Sequence, residues 1–216
     1  MFAECVIKDK KAWDQAIEKF TQKDVYFTYN YFVPFKNNGD GEPILYCFGC
    51  DHGKVAYPFM LRDIAECENL KGEIEKDAFF DISSAYGYGG PLYDCRTGTG
   101  NLLELKKAFF KAFSNYCEKE NIISQFDRFH PLIKNHDFFK GYSELLPIRK
   151  TVCMDLRDVE KLWANLDSKC RNKIRKARKN GVSIVLGDIL DTVEDFKSIY
   201  NSTMDKHKAT DYYYFY

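Results

Sequence analysis

The sequence has no apolar run approaching the roughly 20 residues that cross a bilayer. Its start, Met-Phe-Ala-Glu-Cys, has neither the basic lead nor the apolar core of a signal peptide. Both absences predict a cytoplasmic protein without a transmembrane segment. Net charge is also absent: 32 lysines and arginines balance 32 acids. The parts hardly differ, with 20 bases against 22 acids in residues 1–150 and 12 against 10 in 151–216, so any electrostatic attraction is local. No Gly-x-Ser-x-Gly elbow occurs and no cysteine stands in a protease-like setting, which leaves covalent acyl-enzyme chemistry without a nucleophile. Cys47-Phe-Gly-Cys50 has the spacing of a zinc knuckle or redox pair, with His52 close by, but a second Cys-x-x-Cys is missing. The pair sits at a predicted strand end rather than a helix N-terminus, which speaks against a thioredoxin-like role. The eight scattered cysteines therefore read as structural thiols, and neither a metal nor a resident cofactor is indicated. Internal repeats and low-complexity linkers are lacking as well.

What is present is ample material for a core: 45% apolar and 16% aromatic residues over 216 positions, enough for one large domain or one and a half ordinary ones. Ala12, Trp13, Ala16, Ile17 and Phe20 fall at helical spacing behind Asp9, a helix cap. Two β-type runs, 43–48 and 54–62, flank a turn at 49–53 and predict a hairpin. The segment 81–93 mixes aromatics with glycines and reads as a strand end and loop. Leu102, Leu105, Phe109, Phe113 and Tyr116 form one stripe of a long helix over 101–120. Residues 122–129 read as a strand. After residue 151 the pattern predicts a strand at 151–156, a basic helix, a strand at 182–186, and a helix opened by Asp191 or Thr192 with Phe196, Ile199, Tyr200, Thr203 and Met204 inward. Asp211 then reads as the cap of a further helix that the sequence only begins, so the chain reads as truncated within a second domain. Residues 1–150 are the first domain in this reading, and 151–216 the incomplete second.

The strongest chemical signal is the run 169–180, in which seven of twelve side chains are lysine or arginine and none is acidic. On a helix, Arg171, Arg175 and Arg178 share one face, beside a narrow apolar stripe of Cys170, Ile174 and Ala177. About six like-charge pairs at i,i+3 or i,i+4, at roughly 0.2–0.5 kcal/mol each, oppose this helix by roughly 1–3 kcal/mol before screening. A bound phosphate or phosphodiester offsets that repulsion. The alternative is a plain solvated face, although such faces ordinarily mix signs. Other signals are weaker singly. The glycine-bearing loop 96–100 suits a pyrophosphate or simply a helix start, and it misses the Arg-x-x-Gly-x-Gly spacing of acyl-CoA binders by one residue. His130, in Arg128-Phe-His-Pro131, is the best acid–base candidate among four histidines, or else a satisfied structural one. Tyr86, Tyr88, Tyr212 and Tyr213 either line a groove or fill core with their hydroxyls at the surface.

Taken together, four segments in fixed order resemble the FemAB-like acyltransferases: 81–92 (Asp-Ile-Ser-Ser-Ala-Tyr-Gly-Tyr-Gly-Gly-Pro-Leu), 128–132 (Arg-Phe-His-Pro-Leu), 168–182 and 200–215. The third is similar to the family's Lys-x-Arg-Asn-x-Ile-Arg-Lys-Ala, and the fourth to Thr-Met-x-Arg-x-x-Ala-x-x-Tyr-Tyr-x-Phe. Lys206 stands where that last pattern has arginine, which keeps the charge but loses the planar fork. The resemblance implies an α/β fold of GNAT-like domains, each a mixed sheet flanked by helices, with the acceptor in a groove between or beside them. It implies transfer of an aminoacyl or acyl group, from aminoacyl-tRNA or acyl-CoA, to an amine of a peptidoglycan peptide or related precursor. In that reading Arg171, Arg175 and Lys206 hold a nucleotide-linked or lipid-linked phosphate or tRNA, while Tyr86, Tyr88, Tyr212, Tyr213 and His130 face the substrate. No general base is evident. Two other readings stay open: a non-specific nucleic-acid-binding module, and an inactive remnant or interaction domain.

Overall fold

The structure, a computed structural model, describes residues 4–98 and 100–214, apart from the side chains of 189–191. It divides into two compact units, Met1–Ile148 and Arg149–Tyr216.

The first unit is built on a hairpin. Strands β2 (Glu42–Cys50) and β3 (Gly53–Asp63) pair antiparallel from Glu42↔Leu61 to Cys50↔Gly53 around a turn at Asp51 and His52. Side chains on a strand alternate between faces, and both faces of this hairpin are apolar. Leu45, Cys47, Ala56 and Met60 join one core cluster, and Ile44, Tyr46, Val55, Tyr57 and Phe59 join the other. The sheet is thus covered on both sides, which explains the nearly unbroken apolar runs. Helices α1 (Lys10–Ile17) and α2 (Tyr29–Asn37) supply Trp13, Ala16, Ile17 and Phe32 to the first cluster. Helix α3 (Asn101–Lys119) supplies Leu105, Phe109, Phe113 and Tyr116 to the second, and the short α4 (His136–Phe139) adds Phe138 and Phe139. Asp9 caps α1 by accepting from the Ala12 amide at 2.9 Å, as the sequence predicts. Leu102, read as part of the α3 stripe, is exposed.

Strands β1 (Cys5–Ile7), β4 (Phe80–Ser83), β5 (Leu92–Cys95) and β6 (Ile122–Phe126) complete a six-stranded sheet of order β1-β2-β3-β4-β6, with β5 also on β3. Only β4 and β6 run parallel among its pairings, so the sheet is mixed. A mixed sheet flanked by helices is consistent with a GNAT-like α/β fold. The strand expected over 122–129 ends at Phe126. β5, β1 and α2 are additions to the elements read from sequence. β1 is too short for a periodic signal, and α2 carries Pro34, a residue that ordinarily argues against a helix interior.

The second unit contains α5 (Val159–Asn165), α6 (Ser168–Lys179) and α7 (Ile189–His207). The basic helix forms as expected, with the Asp167 carboxylate accepting from the Cys170 amide at 2.7 Å. The two expected strands do not form: among the described residues, 151–156 and 182–186 belong to no sheet, and Val152, Ile184 and Leu186 are each more than nine-tenths exposed. β-propensity without a partner leaves the backbone groups of a strand unpaired, so alternation alone does not make one. With no sheet among the described residues of this unit, the expected inward face of α7 is not buried either; Phe196, Ile199 and Thr203 are exposed and Tyr200 and Met204 half-buried. α7 begins ahead of the expected cap. Asp191's side chain lies outside the described residues, and Thr192 Oγ1 donates to the Asp188 carbonyl at 3.0 Å. The expected terminal helix is a single 3₁₀ turn, Asp211–Tyr213, with Thr210 rather than Asp211 at its cap position; Phe215 and Tyr216 lie outside the described residues.

Candidate functional site

The candidate residues fall in both units, and each group is described by itself. In the first unit, β4 and β5 share one edge of β3: β5 pairs with residues 53–56 and β4 with 60–63. Residues 57–59 between them have no strand partner on that side among the described residues. Pro58 stands in this gap, where a residue without an N–H leaves no ladder bond on that edge unmade. The chain linking β4 to β5 carries Tyr86 and Tyr88 past the gap. Beside it Asp127, just beyond β6, accepts at Oδ2 from the Tyr57 hydroxyl (2.6 Å) and Gln125 Nε2 (2.7 Å), and at Oδ1 from Ser84 Oγ (3.4 Å). Ser84 Oγ in turn accepts from the Arg128 amide at 2.8 Å. Burial pushes the Asp127 carboxyl up, and its donors oppose the shift. The Tyr57 phenol is raised well above its usual value by burial first and the Asp127 charge second.

The glycines of the linking segment are there for close approach. A Cβ on Gly90, at φ +85°, would lie 2.7 Å from a Phe129 ring carbon and 2.9 Å from Asn135 Nδ2. One on Gly87, at φ +115°, would lie 2.6 Å from the Tyr31 hydroxyl. Asn135, fully buried, fastens the segment: its Nδ2 donates to the carbonyls of Gly89 (2.8 Å) and Pro91 (3.1 Å), while its Oδ1 accepts from the His130 amide (2.9 Å).

His130 is buried. Its Nδ1 accepts from the amides of Leu132 (3.3 Å) and Ile133 (3.1 Å), and its Nε2 lies 3.5 Å from Asp24 Oδ2. That pattern assigns the neutral ring's proton to Nε2. Its ring meets Tyr26, Phe27 and Tyr88 at centroid distances of 5.8, 6.2 and 5.6 Å. The geometry is that of a turn-fastening histidine which also backs Tyr88. Burial lowers its pKa, opposed by Asp24. The folded chain therefore takes up this proton at lower pH than the unfolded chain, whose histidine titrates near ~6.5. Stability contributed here is complete above that value and falls as pH drops below it, because the unfolded state binds more protons in that window. Urea midpoints at pH 7.5 and 5.5 should show a larger acid loss for wild type than for His130→Asn, which retains a turn acceptor without titrating in that range. Equal losses would remove His130 as the source.

Tyr86 is half exposed; its carbonyl accepts from the Tyr31 hydroxyl at 2.7 Å, and the Arg128 guanidinium lies over its ring at 5.4 Å. The Tyr31 phenol is pushed up to about 12, chiefly by burial. Tyr88 is half-buried against Tyr26 at 5.3 Å. The structure thus brings Tyr86, Tyr88 and His130 into one cluster, joined by Asp24, Tyr26, Tyr31, Asp127 and Arg128, whose parts the sequence reading did not single out. Arg128 alone had a signal, since it opens the 128–132 motif. The two surface depressions best defined in this unit lie elsewhere. One of about 570 Å³ is lined by Glu4, Lys8, Asn115 and Lys119, and one of about 460 Å³ by Cys50, Lys54, Asp94 and Arg96.

In the second unit, Arg171 and Arg175 lie on the same side of α6 and both reach α5. Arg171 Nη1 donates to the carbonyls of Trp163 (3.4 Å), Ala164 (3.1 Å) and Leu166 (2.5 Å), closing the C-terminal end of α5. Arg175 lies over the Trp163 ring at 5.5 Å and donates through Nη1 to Asn172 Oδ1 at 3.0 Å. Among the described residues none of the seven basic side chains of α6 pairs with a carboxylate. The stripe of Cys170, Ile174 and Ala177 is half-buried, as its spacing predicts. Lys206 is exposed in the last turn of α7, where a cation complements the helix dipole. Tyr212 and Tyr213 are each 41% exposed and meet edge to face at 5.2 Å; Tyr214 donates to Asp205 Oδ1 at 2.8 Å.

The remaining motifs have structural explanations. Cys47 and Cys50 are three apart on one strand, so they point to opposite faces and enter different core clusters. No group of metal-ligating side chains occurs among the described residues. The loop before α3 is closed by Asn101, whose Nδ2 donates to the Thr97 carbonyl at 3.1 Å and whose Oδ1 meets His52 Nδ1 at 2.8 Å; Thr99 lies outside the described residues. No helix of the described residues is long and apolar enough to cross a membrane.

Comparison with known proteins gives a single result. No curated protein and no solved structure matches the chain. The sequence profile of the FemAB family matches residues 105–216, a span that takes in Arg128, His130, the whole of α6 and the α7 end with Lys206, but not Tyr86 or Tyr88. Since that match covers more than half of the 216 residues and includes three of the four motif segments, the chain belongs to the FemAB family.

Proposed function

We propose that this protein is a cytoplasmic N-acyltransferase that moves an aminoacyl or acyl group directly onto an amine of a cell-envelope precursor, a peptidoglycan peptide or related glycan. The donor is aminoacyl-tRNA or acyl-CoA. Family membership supports a transferase of peptidoglycan bridge synthesis, and the observation that carries the phosphate-binding part is α6, whose seven cationic side chains have no acidic partner among the described residues. An unpaired basic helix is at its most stable against a polyanion. Arg171 and Arg175 are anchored through Nη1, which leaves their other guanidinium donors directed by a fixed stem, a pre-organised arrangement for a diphosphate or RNA backbone. Lys206, Tyr212 and Tyr213, exposed in the same unit, are the further substrate contacts of this reading.

In the reaction the acceptor amine attacks the donor's carbonyl carbon, a C–N bond forms, and the ester or thioester bond breaks with the leaving oxygen or sulfur taking the proton. Holding the two reactants in line supplies much of the barrier reduction, and donors near the carbonyl oxygen stabilise its developing charge. In the first unit Tyr86 and Tyr88 present the surface for the acceptor, and His130 is a positioning residue behind Tyr88. The domain assignment belongs to the same proposal: a first GNAT-like domain over 1–150 and part of a second over 151–216.

The test is a transfer assay with radiolabelled aminoacyl-tRNA or acyl-CoA and a uridine-diphosphate-linked peptide precursor bearing a free amine. A new amide, seen as a mass increase on the precursor, is the expected result. Absence of product with either donor, together with RNA binding that falls steeply with salt and ignores charging, would instead establish a nucleic-acid-binding module.

A further inference from the structure

We propose that Arg128, an exposed side chain of the first unit, forms an oxyanion-binding site in which its guanidinium lies over the rings of Tyr86 and Phe126. The backbone at this position is fixed on both sides: the Arg128 amide donates to Ser84 Oγ at 2.8 Å, and its carbonyl accepts from the Gly89 amide at 2.7 Å. From that anchored stem the guanidinium carbon lies 5.4 Å from the Tyr86 ring centroid and 5.3 Å from that of Phe126.

A guanidinium has five N–H donors and no acceptor. Those of Arg128 make no hydrogen bond or ion pair with any described residue. The nearest carboxylate in sequence, Asp127, is already taken by Tyr57, Gln125 and Ser84. Asp24, the acid of the adjoining aromatic cluster, faces His130 and the Tyr26 amide. The ring contacts are to the cation's charge, and a guanidinium's forked N–H donors are the geometry that takes a carboxylate or phosphate in two parallel bonds. Because the rings already restrict the side chain, less conformational freedom is lost on binding.

The ligand class is an oxyanion, either the carboxylate of a peptide or a phosphate group. The placement beside Tyr86 and Tyr88 makes it part of the acceptor surface if the proposed transferase reading holds, and for that role alone it rests on the reading. Anion binding itself does not.

The experiment follows the Arg128 Nε–Hε resonance, assigned with Arg128→Lys, in arginine-labelled protein titrated separately with inorganic phosphate, N-acetyl-alanyl-alanine and the C-terminal amide of that dipeptide. A saturable shift with phosphate, with the carboxylate or with both, and none with the amide, is expected. A carboxylate response alone assigns the site to a peptide end, and a phosphate response alone to a phosphorylated group. Arg128→Lys should weaken the interaction about tenfold or more, since one charge-assisted bond of roughly 1.5–3 kcal/mol is lost with the fork. Urea midpoints of wild type and Arg128→Lys, expected to agree closely, separate this from unfolding. No shift with either anion at millimolar concentration, or an equal shift with the amide, overturns the proposal. Either result leaves the transferase reading to its own assay, where α6 and not Arg128 is decisive.

Discussion

Exchanging Lys173, Lys176 and Lys179 together for glutamine should weaken binding of a uridine-diphosphate-linked precursor by about tenfold or more while leaving the protein more resistant to urea. The affinity loss follows from one charge-assisted phosphate contact at roughly 1.5–3 kcal/mol, made beside those of Arg171 and Arg175, which the variant retains. The stability gain comes from the helix itself, because the substitutions remove about four of its six like-charge pairs, at roughly 0.2–0.5 kcal/mol apiece. Opposite signs for binding and stability cannot arise from misfolding. The arginines are poorer probes. Arg171→Ala also releases the carbonyls of Trp163, Ala164 and Leu166 at the end of α5, and Arg175→Ala uncovers the Trp163 ring. Isothermal titration at two salt concentrations, with urea melts alongside, checks both halves. Unchanged affinity for the triple variant would remove the lysine face from the binding surface.

Asn135→Leu should be the most damaging single substitution in the first unit. It strips partners from three backbone groups at once, the His130 amide and the carbonyls of Gly89 and Pro91, around a side chain with no exposed surface. A buried polar group left unsatisfied costs roughly 1–3 kcal/mol, so a loss of about 3 kcal/mol or more is expected. Asn135→Asp is no rescue: it keeps an acceptor for His130 but turns a carboxylate oxygen toward two carbonyls. The damage should be local before it is global. Gly89 bridges to Phe129 and donates to the Arg128 carbonyl, so its amide should lose hydrogen-exchange protection in any variant mild enough to fold. A urea midpoint within experimental error of wild type would show that the Tyr86–Tyr88 segment is held by something else.

How much of this was legible in sequence depends on how far apart the deciding residues lie. Helices α1, α3 and α6 and the β2–β3 hairpin are written in stretches of a dozen or so residues, through caps, stripes and a turn, and they form where expected. The strands expected at 151–156 and 182–186 have the right side chains, but a strand also requires a neighbour, and local alternation carries no information about one. The exposed apolar face of α7 follows from the same missing sheet. At the site, the glycine–tyrosine segment and His130 were visible because their residue types are unusual together. The network that fixes them joins Asp24, Tyr57, Ser84, Asp127 and Asn135, which only the fold brings together. His130 drew attention as an acid–base candidate for its place after a strand, whereas its Nδ1 is occupied by two amides. In sequence Arg171 and Arg175 read only as phosphate-holding cations, and no sequence rule shows that Arg171 also closes the preceding helix.

The most direct test of the basic helix as a phosphate-holding surface is ³¹P NMR of the uridine-diphosphate-linked precursor on addition of protein. Wild type should shift and broaden the diphosphate signals saturably, and the Lys173, Lys176 and Lys179 triple glutamine variant should need much more protein for the same change. Diphosphate signals unmoved by wild type, at concentrations where calorimetry shows the precursor bound, would contradict the account.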